Sequence, residues 1–74
     1  MTTDLLLSYP FKFEGGKPVE FTKEERNDRR RVLRRILKNT RFNNYTDEEL
    51  DKITVNQNNG FYMLTDINGY DWRV

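Results

Sequence analysis

The sequence predicts a small α+β fold, one domain over residues 1–74. Three observations predict it. Short apolar–polar alternations flank glycine turns near each end of the chain. Between them Val32, Leu33, Ile36 and Leu37 recur at helical spacing inside an arginine-dense run. Two Thr-x-x-Glu capping boxes, Thr22 to Glu25 and Thr46 to Glu49, mark helix starts. The expected order is an N-terminal β-hairpin, a long basic helix, a short acidic helix and a C-terminal β-hairpin. A third strand at Ile53-Thr54-Val55 would make the last unit a meander.

The first hairpin is read from Phe11-Lys12-Phe13 and Val19-Glu20-Phe21, with Gly15-Gly16-Lys17 between them. A three-residue loop sets Phe13 against Val19, Lys12 against Glu20 and Phe11 against Phe21, so like chemistry meets like and opposite charges pair. Leu5–Leu7 is compatible with strand or with a packed lead-in. Thr22 caps the long helix, which is expected to run to about Asn39–Arg41. Acids fill its first turn and bases its last, as the helix dipole favours. Phe42 is the expected buried anchor of the connection. The box at Thr46 opens the short helix Asp47–Ile53, with Tyr45 placed to staple onto Leu50. Asn68-Gly69 favours a two-residue type I′ turn. That register pairs Ile67 with Tyr70, Thr65 with Trp72 and Met63 with Val74. It puts Phe61 and Met63 in the core and leaves Tyr62, Leu64, Asp66, Asp71 and Arg73 on the other face. Asp66 and Asp71 then lie opposite each other, which is unfavourable without a cation between them.

Composition narrows the function. At this length a chain buries only about 60% of its unfolded surface, so large side chains must supply the core. Five Phe, four Tyr and Trp72 are available, and there is no Ala. The absence of Cys and His excludes disulfides, conventional structural zinc and His- or Cys-based nucleophilic catalysis. No glycine-rich phosphate loop is present. Asp47, Glu48, Glu49 and Asp51 sit where acids are expected at a helix start, so they do not argue for acid–base catalysis. Asp66 to Asp71 lacks the glycine position and distal Glu of a calcium loop. No enzyme, metal, cofactor or small-molecule substrate is expected. The N-terminus has no basic n-region and no stretch approaches a membrane span, so the expectation is a cytoplasmic protein that does not engage membranes.

The net charge is only +1, but the charge is segregated. Arg26 to Arg41 holds eight bases and one acid, and an acidic cluster follows. On a helical wheel Arg31, Arg34, Arg35, Lys38 and Arg41 lie opposite the aliphatic face, and Arg30 lies at its border. Arg26 and Arg29 fall on the aliphatic side, where there is no apolar residue to accompany them. Guanidinium groups match phosphate geometry, and like charges four apart cost a few tenths of a kcal/mol each unless an anion offsets them. The expected partner-binding residues are Arg26, Arg29, Arg30, Arg31, Arg34, Arg35, Lys38 and Arg41, with Tyr62 as stacking aromatic and Tyr9 and Tyr45 as weaker candidates. The competing reading folds Asp47–Asp51 back onto the arginines.

The run Arg29-Arg30-Arg31 with Arg34-Arg35 resembles the arginine-rich helices of small RNA-binding regulators, including viral ones. It departs from them in its Val-Leu-Ile-Leu stripe, which implies that a folded domain presents these arginines. The expected function is a non-catalytic regulatory or accessory protein whose basic helix docks on RNA or DNA. The alternative is a small virus-type inhibitor or adaptor that grips an acidic surface of a host protein.

Overall fold

Two glycines decide the first hairpin. Gly15 and Gly16 both take positive φ, 58° and 80°, so the chain reverses in a two-residue turn whose twist suits the flanking strands. Strand β1 (Phe11–Glu14) therefore pairs with β2 (Lys17–Glu20) as Phe11↔Glu20, Lys12↔Val19, Phe13↔Pro18 and Glu14↔Lys17. The three-residue register is overturned. Lys12 finds its main carboxylate outside the hairpin: Nζ lies 2.9 Å from Glu25 Oε1 on the following helix. The structure, a computed structural model, describes residues 8–74. Leu5–Leu7 lie outside the described residues.

Helix α1 (Lys23–Leu37) starts at Thr22 with the expected capping box. Glu25 N donates to Thr22 Oγ1 (3.2 Å) and Thr22 N donates to Glu25 Oε1 (3.0 Å). Burial runs along Arg29, Leu33 and Leu37. The helix ends at Leu37, before the expected Asn39–Arg41. Thr40 caps it there: its backbone N and its Oγ1 both donate to Leu37 O, at 3.1 and 2.8 Å. Phe42 is buried as expected and its ring packs edge-on to Tyr45 at 5.1 Å. Helix α2 (Asp47–Leu50) carries the second capping box and is one turn long.

Strands β3 (Thr54–Asn58), β4 (Phe61–Thr65) and β5 (Asp71–Arg73) form an antiparallel meander in that order. Leu64 pairs with Val55 on one side and Trp72 on the other. The β4–β5 register is one residue away from the type I′ expectation, and a one-residue slip turns every side chain of a strand to the other face. Leu64 is fully buried, and Tyr62, Trp72 and Val74 pack against the core, while Phe61 and Met63 lie on the outer face. The core comprises Leu33, Leu37, Phe42, Leu50, Ile53, Val55 and Leu64, flanked by Val32 and Ile36. Seven large residues from α1, α2, the connection and the sheet converge there, so the sheet packs on the second half of the helix.

Candidate nucleic-acid interface

The basic run divides into three populations. The first is Arg29, which shares the inward line of α1 with Leu33 and Leu37. Its side chain is 1% exposed. Nη1 donates to Leu50 O and Nη2 to Ile53 O, each at 2.7 Å. Those carbonyls end α2 and lead into β3, where the short helix leaves its last carbonyls without intrahelical donors. One guanidinium thus joins the long helix to the α2–β3 corner. Burial pushes its pKa down to about 10, with the nearby Asp51 charge opposing, so it stays charged at neutral pH. The Arg29 head is thus enclosed by the fold, unlike the exposed heads of Arg31 and Arg35.

The second population faces α2. Arg30 Nε donates to Asp51 Oδ1 at 3.0 Å and its Nη2 bonds Asp51 Oδ2, a bidentate fork. Asp47 Oδ2 lies 3.9 Å from Arg30 Nη1. Arg34 donates to Asp47 Oδ1 at 2.6 Å and to Tyr45 O at 3.2 Å. The Arg34 hydrogen bond holds the Asp47 carboxyl below its usual range against slight burial, and Arg30 assists. The hydrogen bond to Asp51 raises the Arg30 pKa. The acidic cluster does fold back, and it claims two arginines.

The third population points outward. Arg31, Arg35 and Lys38 are exposed and lie at i, i+4 and i+7, one line along α1. Lys38 keeps helical backbone angles at the C-cap, so the line continues past Leu37. Among the described residues Arg31 has a salt bridge only with Asp28, at 3.3 Å with both groups well exposed. Among the described residues no salt bridge reaches Arg26, Arg35, Lys38 or Arg41. Arg26 is half-buried on the inward line.

Arg41 is exposed, and its guanidinium carbon sits 4.0 Å from the Trp72 ring centroid and 6.0 Å from that of Phe42. This joins the end of the basic run to the β4–β5 turn. That turn is three residues long: Asp66 pairs with Tyr70, the Asp66 N–H donating to Tyr70 O at 2.8 Å, and Gly69 takes φ 86°. Asp66 Oδ1 accepts from Asn68 N and Tyr70 N, and Oδ2 accepts from Trp72 Nε1 at 2.6 Å. Burial acts to raise the Asp66 pKa, but the Trp72 bond and backbone donors outweigh it and hold the carboxyl below its usual value. Asp71 is satisfied separately, by Thr65 Oγ1 at 2.7 Å. The predicted Asp66–Asp71 opposition does not occur, and no cation is needed there.

The aromatic candidates are rearranged accordingly. Tyr62 packs against the core. Tyr45 is half-buried; burial, with Asp66 and Glu49, raises its pKa against a hydrogen bond with the Ile67 backbone. Tyr9 is 48% exposed but stacks on Phe11 at 5.6 Å, and Phe13 joins the same cluster. Tyr70, 67% exposed at the turn two residues before Trp72, was missed in the sequence because the type I′ register placed it against Ile67. The clashing Asp66 and Asp71 were the signal that would have found it. Among the described residues no group of three or more acidic side chains converges to hold a metal ion. An open cleft lined by Ser8, Asn56, Gln57 and Asn58 lies at the β3–β4 turn, the opposite end of the sheet.

No family model matches the chain, and neither does any curated protein or solved structure. Among the described residues no helix is long and apolar enough to cross a membrane.

Proposed function

We propose that this chain is a non-catalytic regulatory or accessory domain that docks on nucleic acid through the outward line of α1. One observation carries the reading. After the carboxylates of α2 have taken Arg30 and Arg34, four cations of the Arg26–Arg41 run remain exposed: Arg31, Arg35, Lys38 and the Trp72-stacked Arg41. A domain of nearly zero net charge that keeps like charges four residues apart on one face stands ready for an anion that crosses several of them. Phosphates spaced along a strand are such an anion.

The test is salt dependence. Four phosphate contacts give a slope of log K against log salt of about −3 for a single strand. Replacing Arg31, Arg35 and Lys38 with Glu abolishes binding and leaves the melting temperature nearly unchanged, since none of the three pairs with α2. A flat salt response, or no retention on a polyanion column, refutes the reading. A second reading, an inhibitor or adaptor of a host protein, is favoured by one separate feature. The β1 side of the hairpin displays Tyr9 and Phe13, the latter 60% exposed, and exposed aromatics of this kind mark protein interfaces. A pull-down that yields one stoichiometric protein after nuclease treatment selects that reading.

A further inference from the structure

We infer that the nucleic acid is held as a single strand, with an unpaired base stacked on Tyr70 while its phosphates lie on Arg41, Lys38 and Arg35. This rests on the nucleic-acid reading above and specifies the form of the ligand. Tyr70 belongs to the same face as Trp72. Leu64 and Trp72 are cross-strand partners on the core face, and Asp66 reaches Trp72 Nε1 from that face. Asp66 pairs with Tyr70 across the turn, so the Tyr70 ring continues the Trp72 face beyond the end of the sheet.

Trp72 itself is covered by the Arg41 guanidinium at 4.0 Å. Trp72 thus has the Arg41 cation on its ring and the open Tyr70 ring as the residue two before it on the same strand face. Tyr70 differs from the other exposed aromatics. Tyr9 stacks on Phe11 and Phe13 meets both edge-on, whereas Tyr70 contacts no other ring among the described residues. Its backbone is also fixed. The Asp66 carboxylate takes the Tyr70 and Asn68 N–H groups and the Trp72 indole. A rigid turn that presents an open ring loses little entropy when a ligand covers it.

A duplex offers such a ring nothing, because its bases are already stacked and paired. A single strand can lay a base on it, and stacking of this kind tolerates any base. Cations that take the phosphates, combined with an aromatic platform that takes a base, are how single strands are held on a protein surface.

The experiment compares a short single-stranded oligonucleotide with its own duplex, by fluorescence anisotropy, against wild type, Tyr70→Ala and Tyr70→Phe. The single strand binds wild type more tightly than the duplex. Tyr70→Ala weakens the single strand roughly 10- to 100-fold, while Tyr70→Phe retains affinity. The salt slope is the same in all three, because no phosphate contact is lost. Thermal melting checks that the variants fold, as expected for an exposed side chain whose turn is held through backbone N–H groups. Salt-steep binding with equal affinity for duplex and single strand, insensitive to Tyr70→Ala, overturns the single-strand inference and leaves the docking function standing. Absence of salt-sensitive binding to either form overturns both. Loss of a nuclease-resistant protein partner in Tyr70→Ala, with nucleic-acid binding unchanged, assigns the ring to a protein and overturns the inference.

Discussion

Replacing Arg29 with Met tests whether the most deeply buried charge of the basic run is part of the fold or of the binding face. Methionine keeps an unbranched stem beside Leu33 and removes the fork that serves Leu50 O and Ile53 O. Each bond from a charged donor is worth about 1.5–3 kcal/mol, so two represent roughly 3–6 kcal/mol, much of it the cost of leaving two buried carbonyls unserved. Against this, the variant no longer buries a charge. The fall of the Arg29 pKa to about 10 corresponds to about 3 kcal/mol of charge-burial cost, at 1.36 kcal/mol per unit. The difference is a net destabilisation of roughly 1.5 kcal/mol, a sizeable share of the 5–15 kcal/mol that holds an ordinary domain together. With a urea m-value near 1 kcal/mol/M for a chain of this size, the midpoint falls by roughly 1.5 M. Arg29→Lys reaches one carbonyl and falls in between. Urea titration followed by Trp72 fluorescence reads all three proteins. Under native conditions Arg29→Met keeps the wild-type affinity for a polyanion and the same salt slope. An unchanged or higher midpoint would show that the buried cation is a net cost, as some buried ion pairs are. A large loss of affinity in the folded variant would contradict its assignment as a structural residue.

Other perturbations separate the remaining interactions. A double-mutant cycle on Arg30 and Asp51 gives a coupling of about 1–2 kcal/mol, as expected for neighbouring half-buried partners, whereas the exposed Arg31–Asp28 pair gives less than about 0.5 kcal/mol. Equal couplings would remove the distinction between the internal and outward arginines. Asp66→Asn puts an amide N–H against the Trp72 indole or a turn N–H and lowers the thermal melting temperature. Because the folded Asp66 pKa lies below its unfolded value, its stabilisation is present above about pH 4 and is lost as pH falls through the lower folded value. The gap between wild type and Asp66→Asn should therefore narrow in acid; a gap that widens contradicts the hydrogen-bond assignment. Gly16→Ala meets no atom within 4 Å, so its cost is the left-handed backbone alone, about 1–2 kcal/mol by denaturation. A neutral result would place the turn in another conformation.

How much of this was legible depends on the range of the interaction. Both capping boxes were readable because each donor and acceptor lie three residues apart, and both form as written. The aliphatic face was readable for the same reason: Leu33 and Leu37 are buried and Val32 and Ile36 flank them. Both hairpin registers were misread, in opposite directions. The glycine pair was given a three-residue loop and has two residues; Asn68-Gly69 was given two and has three. Each depended on a partner outside the hairpin or on the turn itself. Lys12 did not need Glu20, because Glu25 of α1 reaches it. Asp66 did not face Asp71, because its carboxylate is the centre of a longer turn and bonds Trp72 across it. Pairing rules applied strand against strand do not see such partners.

The same limit governs the basic run. Charge density in the sequence treats eight cations as equivalent, and the fold sorts them by depth. Arg29 shows the point most directly. It falls on the aliphatic side of the helix wheel, where a charge looks like a mistake or a binding group. The wheel shows which way the side chain points but not what waits there, and two backbone carbonyls more than 20 residues away are invisible to it. Conversely, Asp47 and Asp51 were expected at a helix start for dipole reasons, and they serve a second purpose by neutralising Arg30 and Arg34. What is left, Arg31, Arg35, Lys38 and Arg41, is defined by subtraction. Such a set cannot be read from charge alone, since its members are those that α2 leaves without a carboxylate, Arg31 keeping only the exposed contact with Asp28 among the described residues. Substituting Asp47 with Asn should therefore extend the face: Arg34 is released, polyanion affinity rises, and the single-strand salt slope steepens by about 0.7. If affinity does not rise, Arg34 is held by Tyr45 O and the α1 surface strongly enough that its carboxylate partner is incidental.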